Sequence, residues 1–198
     1  MIRSPRFCVY AVFSCLLFCS QSTAFGKEGK EGKSLNSESN SVAPDRSSQF
    51  EWNDHNKLSW EDFRGEINAN TEESAAATHC GIGFRTKTVS TGKNPEIIVY
   101  NTFYTNKSWV KSDAKLPSIL NHEQGHFDLC EIYTRKLRAR MSKFDFKVND
   151  VKQNLMSIYT DISNEYESRQ HAYERETIHG TNLEQQNKWC KLIARELL

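Results

Sequence analysis

The sequence lacks the features that mark a nucleic-acid binder or an integral membrane protein. Its charges nearly cancel, 26 Lys and Arg against 25 Asp and Glu for a formal net charge of +1, and no basic patch is interleaved with aromatics. A dedicated nucleic-acid surface is excluded on that ground. Beyond Phe18 no run is apolar enough to span a bilayer, which takes roughly 20 residues in a helix. An even set of cysteines is missing too. Once Cys8, Cys15 and Cys19 are assigned to a cleaved leader, Cys80, Cys130 and Cys190 remain. One bridge with a thiol left over, or three buried thiols, are both open.

What is present at the N-terminus reads as a leader. Arg3 and Arg6 form a positive start, Phe7 to Phe18 an apolar core, and Ser22-Thr23-Ala24 a small-residue cleavage site, so residues 1–24 are expected to be a secretory signal peptide. Phe18, directly before Cys19, is too large for a lipoprotein signal. The expected location is periplasmic or secreted, with no stable membrane insertion after cleavage. Residues 25–48 are rich in Lys, Glu, Gly and Ser with almost nothing to bury, and read as a disordered linker. Residues 49–198 have the size of one ordinary domain.

That domain opens with Leu58-Ser59-Trp60-Glu61-Asp62-Phe63-Arg64-Gly65, whose Trp60 and Phe63 are expected to pack on the core. Thr78 to Ser90 and Glu96 to Thr105 are rich in β-branched and aromatic residues, and Thr91 to Pro95 between them has turn chemistry. An antiparallel hairpin is expected. Pro117 then suits the first turn of a helix whose apolar positions, Leu116 to Leu137, recur at helical spacing up to Met141. After it, Asn149 or Asp150 can cap a second helix with the stripe Val151, Leu155, Ile158, Ile162, Tyr166, Arg169, Tyr173, ending near His179-Gly180. Thr181-Asn182-Leu183-Glu184 is a capping pattern for a last helix carrying Trp189, Ile193 and Leu197. Strands followed by helices define an α+β domain: a small antiparallel sheet, then three helices.

The chemistry sits on the first long helix, in Asn121-His122-Glu123-Gln124-Gly125-His126. Helical geometry brings residues four apart onto one face, so His122 and His126 can offer two imidazoles to one ion. Glu123 beside them can take a proton from water activated by that ion. Gly125 costs about 1 kcal/mol against alanine in a helix and implies room for a neighbouring group.

Catalytic zinc takes three protein ligands and a water. The metzincin extension is absent, with Leu129 and Ile132 where its glycine and third histidine would stand. Asp128 and Glu131 are rotated off the ligand stripe, and Cys130 lies more than about 10 Å along the axis from His122. The following helix offers Glu165, Glu167, Glu174 and Glu176. His179, at a helix end beside Gly180, is the expected third ligand, with Glu174 the alternative. His55, His79 and His171 have no supporting context.

LSWEDFRG, AAATHCGIGF, SWVK, NHEQGHFDLCEIYTRKLR and the later run Tyr173 to Gly180, with Gln185 and Trp189, resemble a bacterial family of predicted secreted zinc-dependent proteases, domain of unknown function family 922. The resemblance implies a zincin-like fold with the HExxH motif on the first long helix, and a metallopeptidase acting on a peptide or protein substrate. Where that family usually carries aspartate after the tyrosine, this chain carries Glu174. The expected centre is therefore Zn2+ on His122, His126 and His179 with Glu123 as general base. The rival reading is a non-catalytic zinc-binding envelope protein that recognises a partner or buffers metal, marked by a fourth protein ligand closing the site.

Overall fold

The computed structural model describes residues 48–55, 57–67 and 74–198. The expected signal peptide and all but the end of the expected linker lie outside them. Among the described residues no helix is long and apolar enough to cross a membrane.

The described residues build five strands, three α-helices and a single 3-10 turn at Trp60–Asp62. β1 (Gln49–Phe50), β4 (Glu96–Tyr104) and β3 (Cys80–Lys87) form one antiparallel sheet in that order. The β3–β4 register runs from Cys80 opposite Phe103 to Lys87 opposite Glu96, and Gly92 turns the chain between them at φ 82°. β2 (Ala76–Ala77) and β5 (Trp109–Val110) pair separately as a two-stranded antiparallel sheet. The expected single sheet is thus two, because the chain leaves β3's line at Thr78 and His79: the His79 N–H is taken by the Ser108 hydroxyl. Its carbonyl accepts from Tyr104 N–H.

α1 (Pro117–Met141) lies between this β layer and the other helices, α2 (Val151–Thr177) and α3 (Leu183–Leu197). Pro117 at its first turn forfeits no bond, since that N–H has no partner inside the helix. Toward the sheet it presents Phe127, whose ring meets Phe103 of β4 at 5.4 Å and Phe50 of β1 edge-on at 5.9 Å. Phe63 meets Phe103 at 5.5 Å, and Trp60 packs edge-on against Phe63 from a half-buried position. Phe103 and Phe127 are almost completely buried, so either one truncated to alanine is worth about 3–5 kcal/mol.

On α1's other flank α2 buries Leu155, Ile162, Tyr166 and Tyr173, four members of the expected stripe. Asp150 caps α2 by accepting the Gln153 N–H at 3.1 Å, and Asn182 caps α3 by accepting that of Gln185 at 3.2 Å. α2 ends at Thr177, close to His179-Gly180 as expected, and Ile178, His179 and Gly180 all take positive φ. The architecture is α+β, with small antiparallel sheets followed by three helices.

Candidate metal centre

His122 and His126 leave α1 on the face toward α2 and α3, both buried, with their Nε2 atoms 3.2 Å apart. Glu174, in the last turn of α2, reaches the same point. Its Oε1 is 3.3 Å from His126 Nε2 and its Oε2 is 3.4 Å from His122 Nε2. These three residues form one group of donors able to hold a metal ion. An ion in tetrahedral coordination at about 2.0–2.1 Å keeps its ligand atoms about 3.3 Å from one another, a spacing matched by the two nitrogens and by each nitrogen with its nearest carboxylate oxygen.

The hydrogen bonds behind the rings decide which nitrogens are free. His126 Nδ1 lies 2.6 Å from Gln170 Oε1, while Gln170 Nε2 donates to the His126 carbonyl and to the Tyr166 hydroxyl, each at 2.9 Å. A carbonyl only accepts, so the glutamine atom facing it is the nitrogen and the oxygen faces the ring. His126 therefore donates from Nδ1. The same reasoning fixes His122. Tyr173 donates its hydroxyl to the His122 carbonyl at 3.0 Å and accepts from Gln186 Nε2 at 2.7 Å, which turns Gln186 Oε1 to His122 Nδ1 at 3.0 Å. Burial pushes the Tyr173 phenol's pKa up and keeps it protonated for this task.

Both neutral imidazoles thus point an Nε2 lone pair at one another and at a carboxylate. Two imidazole lone pairs and a carboxylate converging on one point have the chemistry of a ligand set for a cation. Without one, a proton takes the place. Burial pushes His126 down, but Glu174, by its charge and by direct contact, more than offsets this and raises the pKa to about 9. Burial likewise pushes Glu174 up, yet the His126 charge and contacts with His122, His126 and His179 hold it well below the usual carboxylate range.

Glu123, next to His122, is buried at 4% exposure, and its Oε2 has no hydrogen-bond partner among the described residues. Its charge reaches the centre, raising the proton affinity of both His126 and His179. A buried, unpartnered carboxylate oxygen is costly and calls for a ligand or water to complete it.

Two glycines make this packing possible. A Cβ on Gly125 would run into the Tyr173 ring and hydroxyl, and one on Gly180 would come within 2.8 Å of His122 Cβ. Tyr173 itself stacks on the His122 ring at 4.7 Å and 20°.

The expected residues divide as follows. His122, His126 and Glu123 stand together. Glu174, the alternative, enters the donor group in place of His179, which lies one contact further out with Nδ1 2.9 Å from Glu174 Oε2. The reason is the left-handed backbone after Thr177, which the sequence pattern does not disclose. Glu176 accepts from Trp189 Nε1, and Asp128 and Glu131 bond Trp52 and Asn101 on the sheet side of α1. Glu165, His55 and His171 are exposed. Cys80 and Cys130 are buried and free, as is half-buried Cys190. Gln170 and Gln186 are the residues the sequence reading missed. The signal for them was a polar residue on each apolar stripe, Gln170 between Tyr166 and Tyr173, and Gln186 one turn before Trp189.

Residues 29–180 match the family model described as a bacterial protein of unknown function, DUF922. The chain belongs to that family. No curated protein and no solved structure matches it. The DUF922 match takes in Glu123, the three donors and His179, and leaves α3, with Gln186, outside.

Proposed function

We propose that the protein is a zinc-dependent peptidase of zincin-like type, exported from the cytoplasm behind its leader, with His122, His126 and Glu174 as the metal ligands. The observation that carries this reading is the unpartnered Oε2 of buried Glu123 beside a three-donor group. Three protein donors leave a place for a reactant, whereas a structural zinc site is closed by a fourth. Bound there, zinc supplies a Lewis acid that polarises a carbonyl and lowers the pKa of water.

The remaining work falls to the chain. Glu123 accepts at Oε2 the proton of the attacking water and passes it to the leaving nitrogen as the amide bond breaks, so one water is consumed for each acid and amine formed. Gln170 and Gln186 keep the histidines in the Nδ1–H form throughout. The Thr78 hydroxyl donates to the Glu123 carbonyl at 3.3 Å, which ties the segment after β2 to the motif.

Purified protein stripped with a chelator and reloaded with zinc tests the reading against a mixed peptide library. Cleavage is expected to vanish on stripping and return with one equivalent of zinc. Cleavage that survives stripping, or protein that takes up no metal, overturns it.

A further inference from the structure

The backbone after α2 is unusual. Helices commonly leave through one left-handed residue, most often glycine. Here Ile178 (φ 50°, ψ 58°) and His179 (φ 54°) precede Gly180 (φ 77°) in that region. A β-branched residue is a steric outlier there. Ile178 is 57% exposed, so burial of its side chain does not account for the conformation.

What the run achieves is the placement of its neighbours. It folds the chain back over the last turn, so that the His179 N–H meets the Glu174 carbonyl at 3.3 Å and His179 Nδ1 meets Glu174 Oε2 at 2.9 Å. It also presses Gly180 against His122. Among the described residues the Glu174 carboxylate has three side-chain contacts: His122, His126 and His179. The first two are committed to the centre through Nε2. His179 is the one left to meet the carboxylate from outside, as an ion-pair contact at 2.9 Å, and a glutamate side chain gives up rotamer freedom when it is fixed.

We infer that His179 is a positioning residue: through Nδ1 it fixes the rotation of Glu174, so that the carboxylate faces the two Nε2 atoms before any cation arrives. This rests on the reading of His122, His126 and Glu174 as a cation site. It assigns the residue expected as a ligand to the support of one, a role ligating carboxylates commonly require.

Cobalt(II) titration of the full chain against a competing chelator tests it, with thermal unfolding and the visible cobalt spectrum recorded alongside. His179→Asn places an amide nitrogen close to where Nδ1 stood, and His179→Ala leaves nothing. His179→Ala is expected to bind one cobalt about 10- to 100-fold more weakly, whereas His179→Asn stays within about threefold of the parent and keeps its spectrum. The role is overturned if His179→Ala binds as tightly as the parent. It is equally overturned if Asn is no better than Ala, or if His179→Ala binds no cobalt, since the imidazole would then be a ligand. A parent that binds neither cobalt nor zinc removes the cation reading itself, and this inference with it. That failure shows in the parent alone, before any variant is compared.

Discussion

Gly125 leaves the space in which the Tyr173 hydroxyl reaches the His122 carbonyl, at 3.0 Å. A residue between the two candidate ligand histidines thus sets the rear of one of them, because Tyr173 in turn orients Gln186. Gly125→Ala gains about 1 kcal/mol of helix propensity and forces the phenol out of a filled core. The net expectation is a loss of about 1–3 kcal/mol in urea unfolding, with weaker cobalt binding. Unchanged or raised stability contradicts the packing described.

Gln170 is expected to matter more for the ion than its distance from it suggests. Gln170→Leu removes the acceptor that keeps His126 in the Nδ1–H form and leaves the His126 carbonyl and Tyr166 hydroxyl without their donor. Metal affinity is expected to fall about 10- to 100-fold. Competition titration with a chromogenic chelator measures it, and affinity equal to the parent's is the contrary result.

Much of this architecture was legible in the sequence, and the exceptions share a cause. α1 begins at Pro117 and ends at Met141 as its periodicity indicates, and the β3–β4 hairpin forms where β-branched and aromatic residues flank a turn. Asn182 caps α3 from within its capping pattern. β1, β2 and β5 were not legible, because strands of two residues carry no alternation and owe their pairing to tertiary neighbours. The third donor was legible only as a choice. Which of Glu174 and His179 faces the histidines depends on φ at Ile178 and His179, and neither residue type signals a left-handed conformation. The glutamines behind the rings were hidden for a different reason: a buried amide matters through its bonds, and single polar residues in an apolar stripe do not name their partners.

The pH dependence of metal uptake follows from His126. Its pKa in the metal-free fold is about 9, above the ordinary 6.5, with burial opposing and Glu174 prevailing. A raised value means that the stability gained from the charged pair is whole below about pH 6.5 and drains away as the pH climbs through about 9. A cation takes the proton's place. At about pH 7, binding is expected to release about one proton, and apparent affinity is expected to climb up to about tenfold per pH unit until about pH 9. Calorimetry in two buffers of different ionisation heat counts the proton. Binding with no proton release, or affinity flat across this window, contradicts the assignment.

Ile178 offers a test of strain. Asparagine tolerates the left-handed region far better than isoleucine, and the Ile178 side chain is mostly exposed. Ile178→Asn is expected to raise unfolding stability by about 1 kcal/mol, read as a higher urea midpoint with an unchanged slope. A lower midpoint would show that the conformation is not strained.

The most direct test of the central claim is Glu123→Gln, which keeps the shape of the side chain and removes its ability to take a proton. Zinc content by atomic absorption and cleavage of a mixed peptide library are measured together on zinc-loaded parent and variant. The account predicts one zinc per chain in both, cleavage by the parent, and a loss of about a hundredfold or more in the variant. A parent that holds zinc and cleaves no better than Glu123→Gln contradicts it, and leaves a zinc-binding protein without peptidase chemistry.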